Sequence, residues 1–219
     1  MLFHYPKPTL VDQFIAKNKL FKKNQTDLRG FSSQVEKVTW WFKLAPKTLN
    51  IPVVENTKSY CVQEIQIIKL ELKNQTLNEK YLMAIDKGIP SPLIFELHVT
   101  NGNTHLVQVK ACFKFALEDG LKNHLKQYYQ SDWLHQTTRA ELPLATNMNN
   151  LYERLLMPLL PFNKTIDETL PQYVLRITLM KKVESQIKKL EKQLINEKQF
   201  NRKVELNQQL REIKQEFDA

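Results

Sequence analysis

Three groups of residues have types and spacings that could support chemistry. The first is Glu71-Leu72-Lys73, at the end of an apolar run. A Glu-x-Lys pair on a strand end is half of a metal-dependent nuclease site, where a second carboxylate shares the Mg²⁺ that positions water and phosphate. No Asp lies suitably upstream, so Glu55 or Glu64 would have to serve. A nuclease with Glu71 and Lys73 as its degenerate catalytic pair is therefore the alternative reading of this chain.

The second group is Glu96, His98 and His105, which flank Asn101-Gly102-Asn103. Loop length decides whether they meet. A two-residue loop at Asn101-Gly102 puts His98 directly opposite His105, and the trio could then hold a metal with a fourth ligand from elsewhere. A three-residue loop instead pairs Leu97 with Val107, Phe95 with Val109 and Leu93 with Ala111 on one apolar face, and sets His98 opposite Leu106. The strand period of two favours this second register. The hairpin then reads as scaffold, with the histidines apart and no metal site.

The third group is basic. Lys17, Lys19, Lys22, Lys23 and Arg29 fall in residues 1 to 50, which carry nine Lys and Arg against three Asp and Glu, or +6 of the formal +9. Such a balance favours contact with nucleic acid or acidic protein and says nothing about fold. The structural counterpart is a solvated basic surface, helped by the preference of cations for helix C-termini.

The remaining composition mostly excludes. There is no Walker loop, dinucleotide fingerprint or zinc ribbon, so no cofactor is expected. Cys61 and Cys112 each lie in an apolar strand-like run without a second cysteine nearby, as reduced core residues of a cytoplasmic protein do. No signal-like N-terminus and no run near 18 apolar residues is present, so the chain reads as soluble, without membrane contact. Its 219 residues suffice for a self-sufficient core.

The elements that must position these groups follow from periodicity. Thr9 can cap a short helix with Leu10, Val11, Phe14 and Ile15 on one face, and a second helix starts after Thr26. Val38, Trp40, Phe42 and Leu44 share one face of a strand, with Trp41 beside Lys43 on the other, where it could cover the sheet or stack a base. Cys61 to Leu72 reads as a central strand covered on both faces. A capping box at Thr76 and Glu79 starts a helix with Leu77, Tyr81, Leu82 and Ile85, which Gly88 can close in the left-handed conformation. Strand, helix and strand imply a parallel crossover, followed by the hairpin.

From Leu117 the pattern turns helical through Leu121, Leu125, Tyr128, Tyr129 and Trp133, and residues 134 to 146 read as an irregular connection. Asn147 precedes a helix with Leu151, Tyr152, Leu155 and Leu156 inward. The last element begins near Thr169. Val183, Ile187, Leu190 and Leu194 form one coiled-coil seam, and Leu206, Leu210, Ile213 and Phe217 form another out of phase with it. Either a helical hairpin or a stuttered rod satisfies both. The expected fold is α+β: a mixed sheet of about four to five strands with a β-α-β crossover and a hairpin, flanked by helices, in a core domain of residues 1–165. A C-terminal helical region follows at 166–219.

Three stretches carry a resemblance: Glu64-Ile65-Gln66-Ile67-Ile68, then Ala84-Ile85-Asp86-Lys87-Gly88-Ile89-Pro90, then Glu197 to Asn207. Over nearly all its length the chain resembles a bacterial domain-of-unknown-function family, the one numbered 4391. Members occur beside DNA helicases and DNA methyltransferases in clusters like restriction-modification or anti-phage defence. The resemblance implies a partner class and assigns no catalytic residue. It makes the chain an accessory subunit that docks on a helicase or DNA methyltransferase through its two seams, with DNA as a further partner. If the basic N-terminal segment binds DNA directly, affinity measured by fluorescence anisotropy should fall steeply between low and physiological salt, because each neutralised phosphate releases counterions. A salt-independent affinity would exclude that role.

Overall fold

The computed structural model describes residues 1–21, 25–54, 61–116, 122–162, 164–165 and 167–218. The chain divides into two compact units, Met1–Leu160 and Pro161–Ala219. In chain order the first unit comprises β1 (Leu2–His4), β2 (Leu10–Phe14), α1 (Lys17–Leu20), α2 (Gln25–Gln34), β3 (Val35–Leu44), α3 (Pro46–Leu49), β4 (Ile65–Leu72), α4 (Glu79–Gly88), β5 (Leu93–Asn101), β6 (Thr104–Ala116), β7 (Lys122–Gln130), β8 (Leu134–His135), β9 (Arg139–Glu141) and α5 (Met148–Leu156). The second holds α6 (Leu170–Asn196) and α7 (Phe200–Asp218). This is the α+β class that the periodicity predicts.

The main sheet runs β2-β3-β4-β5-β6-β7, with β8 added to β6, and is larger than four or five strands. Only β4 and β5 are parallel within it, as the α4 crossover requires. β1 and β9 form a separate parallel pair. The central strands bury both faces, so β4 and β5 lack a fully exposed side. One face packs Ile68, Leu70, Phe95 and Leu97 against Phe31 of α2 and Tyr81, Leu82 and Ile85 of α4. Each such side chain contributes about 1.5–3 kcal/mol of burial. Gly30 permits the close approach of α2 to α4, because a Cβ there would collide with the Tyr81 hydroxyl.

Four local expectations give way to tertiary context. Leu10 to Phe14 is an edge strand and not a helix; Asp12 takes a left-handed φ of 48° at the irregularity in its pairing with β3. Five residues cannot settle the period, and pairing with β3 decides it. Lys122 to Gln130 is likewise a strand, recruited as the antiparallel partner of β6; Leu117 and Leu121 lie outside the described residues, as does the Leu125 side chain. The N-cap of α4 is Asn78, whose side chain accepts from the Lys80 amide, while the Thr76 hydroxyl donates to Asn74. Cys61 is exposed ahead of β4, whereas burial above all pushes the buried Cys112 thiol up to about 12.

Gly88 does not close α4 in the left-handed conformation: Ile89 follows with extended backbone. A buried lysine from the sheet takes over that task. Lys114 Nζ donates to the Asp86 carbonyl at 2.5 Å, to the Ile89 carbonyl, and to Asp86 Oδ1 at 2.8 Å. Tyr128 Oη donates to the other carboxylate oxygen at 3.1 Å. The orphan carbonyls of a helix end thus bind a charge carried by β6. Replacing Lys114 by Met would strand the Asp86 carboxylate, so urea unfolding should show a loss of about 3–5 kcal/mol. A loss below about 1 kcal/mol would mean that the ion pair does not hold α4 to the sheet.

Candidate functional site

The polar cluster with the most organised geometry is built around a carboxylate at the centre of the sheet. Glu96 on β5 is fully buried. Its neighbours in register are Lys69 on β4 and Val109 on β6, which therefore share its face. An isolated carboxylate there would be prohibitively costly, and two partners compensate it. Arg139 of β9 makes a two-pronged pair, Nη1 to Oε1 at 3.1 Å and Nη2 to Oε2 at 2.6 Å. Its Nη1 also donates to the Phe3 carbonyl of β1 at 2.7 Å, so the β1–β9 pair positions the guanidinium. His98, two residues along β5, brings Nε2 to 3.2 Å from Oε2.

Hairpin register then decides what His98 can reach. Asn101 pairs with Thr104, Thr100 with His105 and His98 with Val107, leaving Gly102-Asn103 as the loop. Gly102 adopts φ 56°, which glycine reaches without a side-chain clash. This register is one residue beyond the three-residue loop that the apolar pairing favours. It corrects the expectation that the histidines stand apart: His105 lies diagonally across from His98 on the same face, and His98 Nδ1 faces His105 Nε2 at 2.9 Å.

The chain of hydrogen bonds fixes the protons. Burial by itself raises the Glu96 carboxyl, but the bonds from His98 and Arg139 outweigh it and hold Glu96 below the usual carboxylate range. An ionised carboxylate only accepts, so His98 carries its proton on Nε2 and accepts at Nδ1 from His105 Nε2–H. Burial lowers His98 despite the Glu96 carboxylate, and lowers His105 with further help from His98. Burial, then the Glu96 charge, raises the Tyr5 phenol well above its ordinary range. Trp41 completes the surroundings: its ring meets His98 edge-on at 5.4 Å, while Lys69 and Arg139 each stand 5.4 Å from its centroid. Trp41 is thus a wall for cations of this chain and not a free stacking platform.

Residues proposed from sequence are distributed unevenly around this cluster. Glu71 is the register partner of His98, and its carboxylate pairs with Lys69 at 3.0 Å. Lys73 lies beyond the end of β4 and pairs with Glu36 at 3.8 Å, so the structure does not bring Glu71 and Lys73 into one site. Glu64 is held by Lys43, Ser91 and Gln66 at the opposite end of β4, and Glu55 is outside the described residues. Among the basic candidates Lys17 donates to the Val35 carbonyl at 2.6 Å, Lys19 and Arg29 are exposed, and Lys22 and Lys23 are outside the described residues. Arg139 and Tyr5 had no local signal, because Arg139 meets Glu96 across 43 residues of chain.

The C-terminal unit resolves the two seams into two helices. Thr169 and Gln172 cap α6 reciprocally, and the helix ends at Asn196, with Glu197 extended. Val183, Ile187, Leu190 and Leu194 on α6, and Leu206, Leu210 and Ile213 on α7, are all half-buried. Val183 and Ile213, one from each seam, line a common groove, and Lys214 pairs with Glu191 at 2.9 Å. The phase change is therefore the turn of a helical hairpin. The Phe217 side chain is outside the described residues.

Acid should weaken the first unit through the Glu96 cluster. With both imidazoles below their ordinary 6.5 in the folded chain, the unfolded chain takes up protons first; the stability they carry is complete above about pH 6.5 and is lost below it. The depressed Glu96 adds a second loss as pH falls through its lowered value, below 4.5. Urea midpoints measured from about pH 7.5 down to 3 should thus fall in two stages; a flat profile from 7.5 to 5 would show that the imidazoles are not held neutral.

No curated protein and no solved structure matches this chain. One family does, along almost its full length, with the main sheet, α6 and all but the last residue of α7 inside the match. Residues 3–217 fit the family described as a domain of unknown function, DUF4391, and the chain belongs to it.

Proposed function

We propose that this chain is a non-catalytic accessory subunit that docks through its C-terminal helical hairpin on a larger DNA-processing enzyme, a helicase or DNA methyltransferase, in a bacterial restriction-like or anti-phage defence system, within the cytoplasm. The observation that carries the reading is the apolar surface left over once α6 and α7 have covered each other. Leu175 and Leu179, one turn apart on α6, are 57% and 53% exposed. Ile195, Phe200 and Val204, beside the turn, are more than half exposed as well. The Leu175 and Leu179 side chains and the apolar side chains beside the turn, about 24 Å apart along α6, are apolar surface on a charged helical hairpin that a partner can cover.

The groove between the helices supports the same reading. Leu175, Leu179, Met180, Val183 and Ile213 line a cleft of about 480 Å³ within the C-terminal unit. Such clefts receive an apolar helix face or a few anchoring side chains. Arg176 at its rim is tied to Glu168 by two bonds of 2.9 Å, which presents the cleft wall in one orientation. Lys19 and Arg29 add exposed positive charge on the first unit, compatible with DNA as a further contact.

The double variant Leu175→Glu, Leu179→Glu tests the docking surface, since charges on an apolar contact are costly while an exposed site tolerates them in the free chain. Co-purification of a helicase or methyltransferase encoded beside this gene should drop at least ten-fold, with unfolding midpoints close to those of the parent chain. Undiminished association would refute docking through this surface.

A further inference from the structure

Three neighbouring strands each present one metal-compatible side chain to the same face. Glu71 of β4 stands in register with His98 of β5, and His98 reaches diagonally to His105 of β6. The two facing nitrogens, His98 Nδ1 and His105 Nε2, are 2.9 Å apart. On a tetrahedral Zn²⁺ two such nitrogens stand roughly 3.3 Å apart, so a small opening of the pair admits an ion. Behind His98, Glu96 holds Nε2, and Arg139 holds Glu96 in turn. A carboxylate behind an imidazole is how proteins orient a metal-binding histidine and raise its basicity.

We propose that His98 Nδ1, His105 Nε2 and the Glu71 carboxylate form a site for one divalent transition-metal ion, with Zn²⁺ as the best match. Imidazole donors select zinc and its neighbours over Mg²⁺ or Ca²⁺, and two imidazoles with one carboxylate leave a fourth position for water. Binding needs no net loss of protons: the His105 proton moves from Nε2 to Nδ1, and the freed Nε2 lone pair joins that of His98 Nδ1 on the ion.

Among the described residues no three His, Cys, Asp or Glu side chains already stand in ligand positions, so one must move. That one is Glu71. Its pairing with Lys69 joins two partly exposed side chains, 36% and 22% accessible, and such a pair is weak enough to exchange for a metal bond. The Glu71 carboxylate already acts electrostatically on both imidazoles. An ion here would tie β4, β5 and β6 together near the turn of the hairpin. The site is independent of the docking surface on α6 and α7, and either proposal can fail alone.

Full-length chain stripped of metal and titrated with Zn²⁺ by calorimetry should bind one equivalent, with the imidazole ¹⁵N resonances of His98 Nδ1 and His105 Nε2 shifting together. His105→Ala and Glu71→Gln should each weaken binding by at least the roughly 10–100-fold that loss of a supporting group costs. Absence of a stoichiometric event up to about 1 mM Zn²⁺, or unchanged affinity in either variant, would overturn the assignment. Should a variant fail to fold, the ¹⁵N shifts of the parent chain decide: an ion held elsewhere leaves both nitrogens unmoved.

Discussion

A single ionised carboxylate at the middle of a sheet dictates much of the first unit. Glu96 has no access to water, so it must be bonded on both oxygens or it would expel itself from the core. One partner comes from its own strand, which fixes the ring orientation of His98. The other arrives on β9, a three-residue strand that has little reason to be ordered except that it pairs with β1 and delivers Arg139. The short N-terminal strand and the connection before α5 are therefore held by electrostatics as much as by apolar packing. Replacing such a network wholesale with hydrophobic side chains is often neutral, whereas removing one member is not.

The same logic recurs on the opposite face of the sheet in a simpler form. Lys114 is nearly as inaccessible as Glu96, and it binds the carbonyls and the carboxylate at the end of α4. Glu79 at the start of α4 meets Lys110 from the same strand, 3.2 Å away. β6 thus contacts both ends of the crossover helix with lysines four residues apart, while Tyr81, Leu82 and Ile85 supply the apolar contact between them. A helix of ten residues, marginal alone, is fixed in position and rotation by this arrangement.

Long elements with one covered face were legible in the sequence. α5 and α6 follow from their apolar spacing and capping residues, α4 follows from its apolar spacing although its caps differ from those expected, and the parallel β4–β5 pair follows from the helix between them. The C-terminal phase change at Asn196 was visible as a misfit of two seams, although periodicity could not distinguish a turn from a stutter. The hairpin register was not legible, for a physical reason. Seven consecutive residues of β5, Leu93 to Val99, are buried, Glu96 and His98 among them, so no solvent-exposed face indexes the pairing. The observed register sets Phe95 opposite Lys110 and Leu97 opposite Gln108, so apolar matching across the hairpin pointed to a different pairing. Arg139 was illegible because its partner is distant in sequence, and the strand propensity of β2 and β7 was set by the neighbours they pair with.

The edge strand β2 bears on how this protein avoids association of the wrong kind. Leu10 and Phe14 are 51% and 60% exposed on the outermost strand of a long sheet, the sort of border onto which a second sheet could add. Between them Asp12 sits in a left-handed conformation, and the ladder to β3 slips between Leu10 and Gln13. An incoming strand would find a kinked backbone and a charge where it needs a straight row of amides. The irregularity that hid β2 from the sequence pattern is thus a barrier to open-ended growth of the sheet.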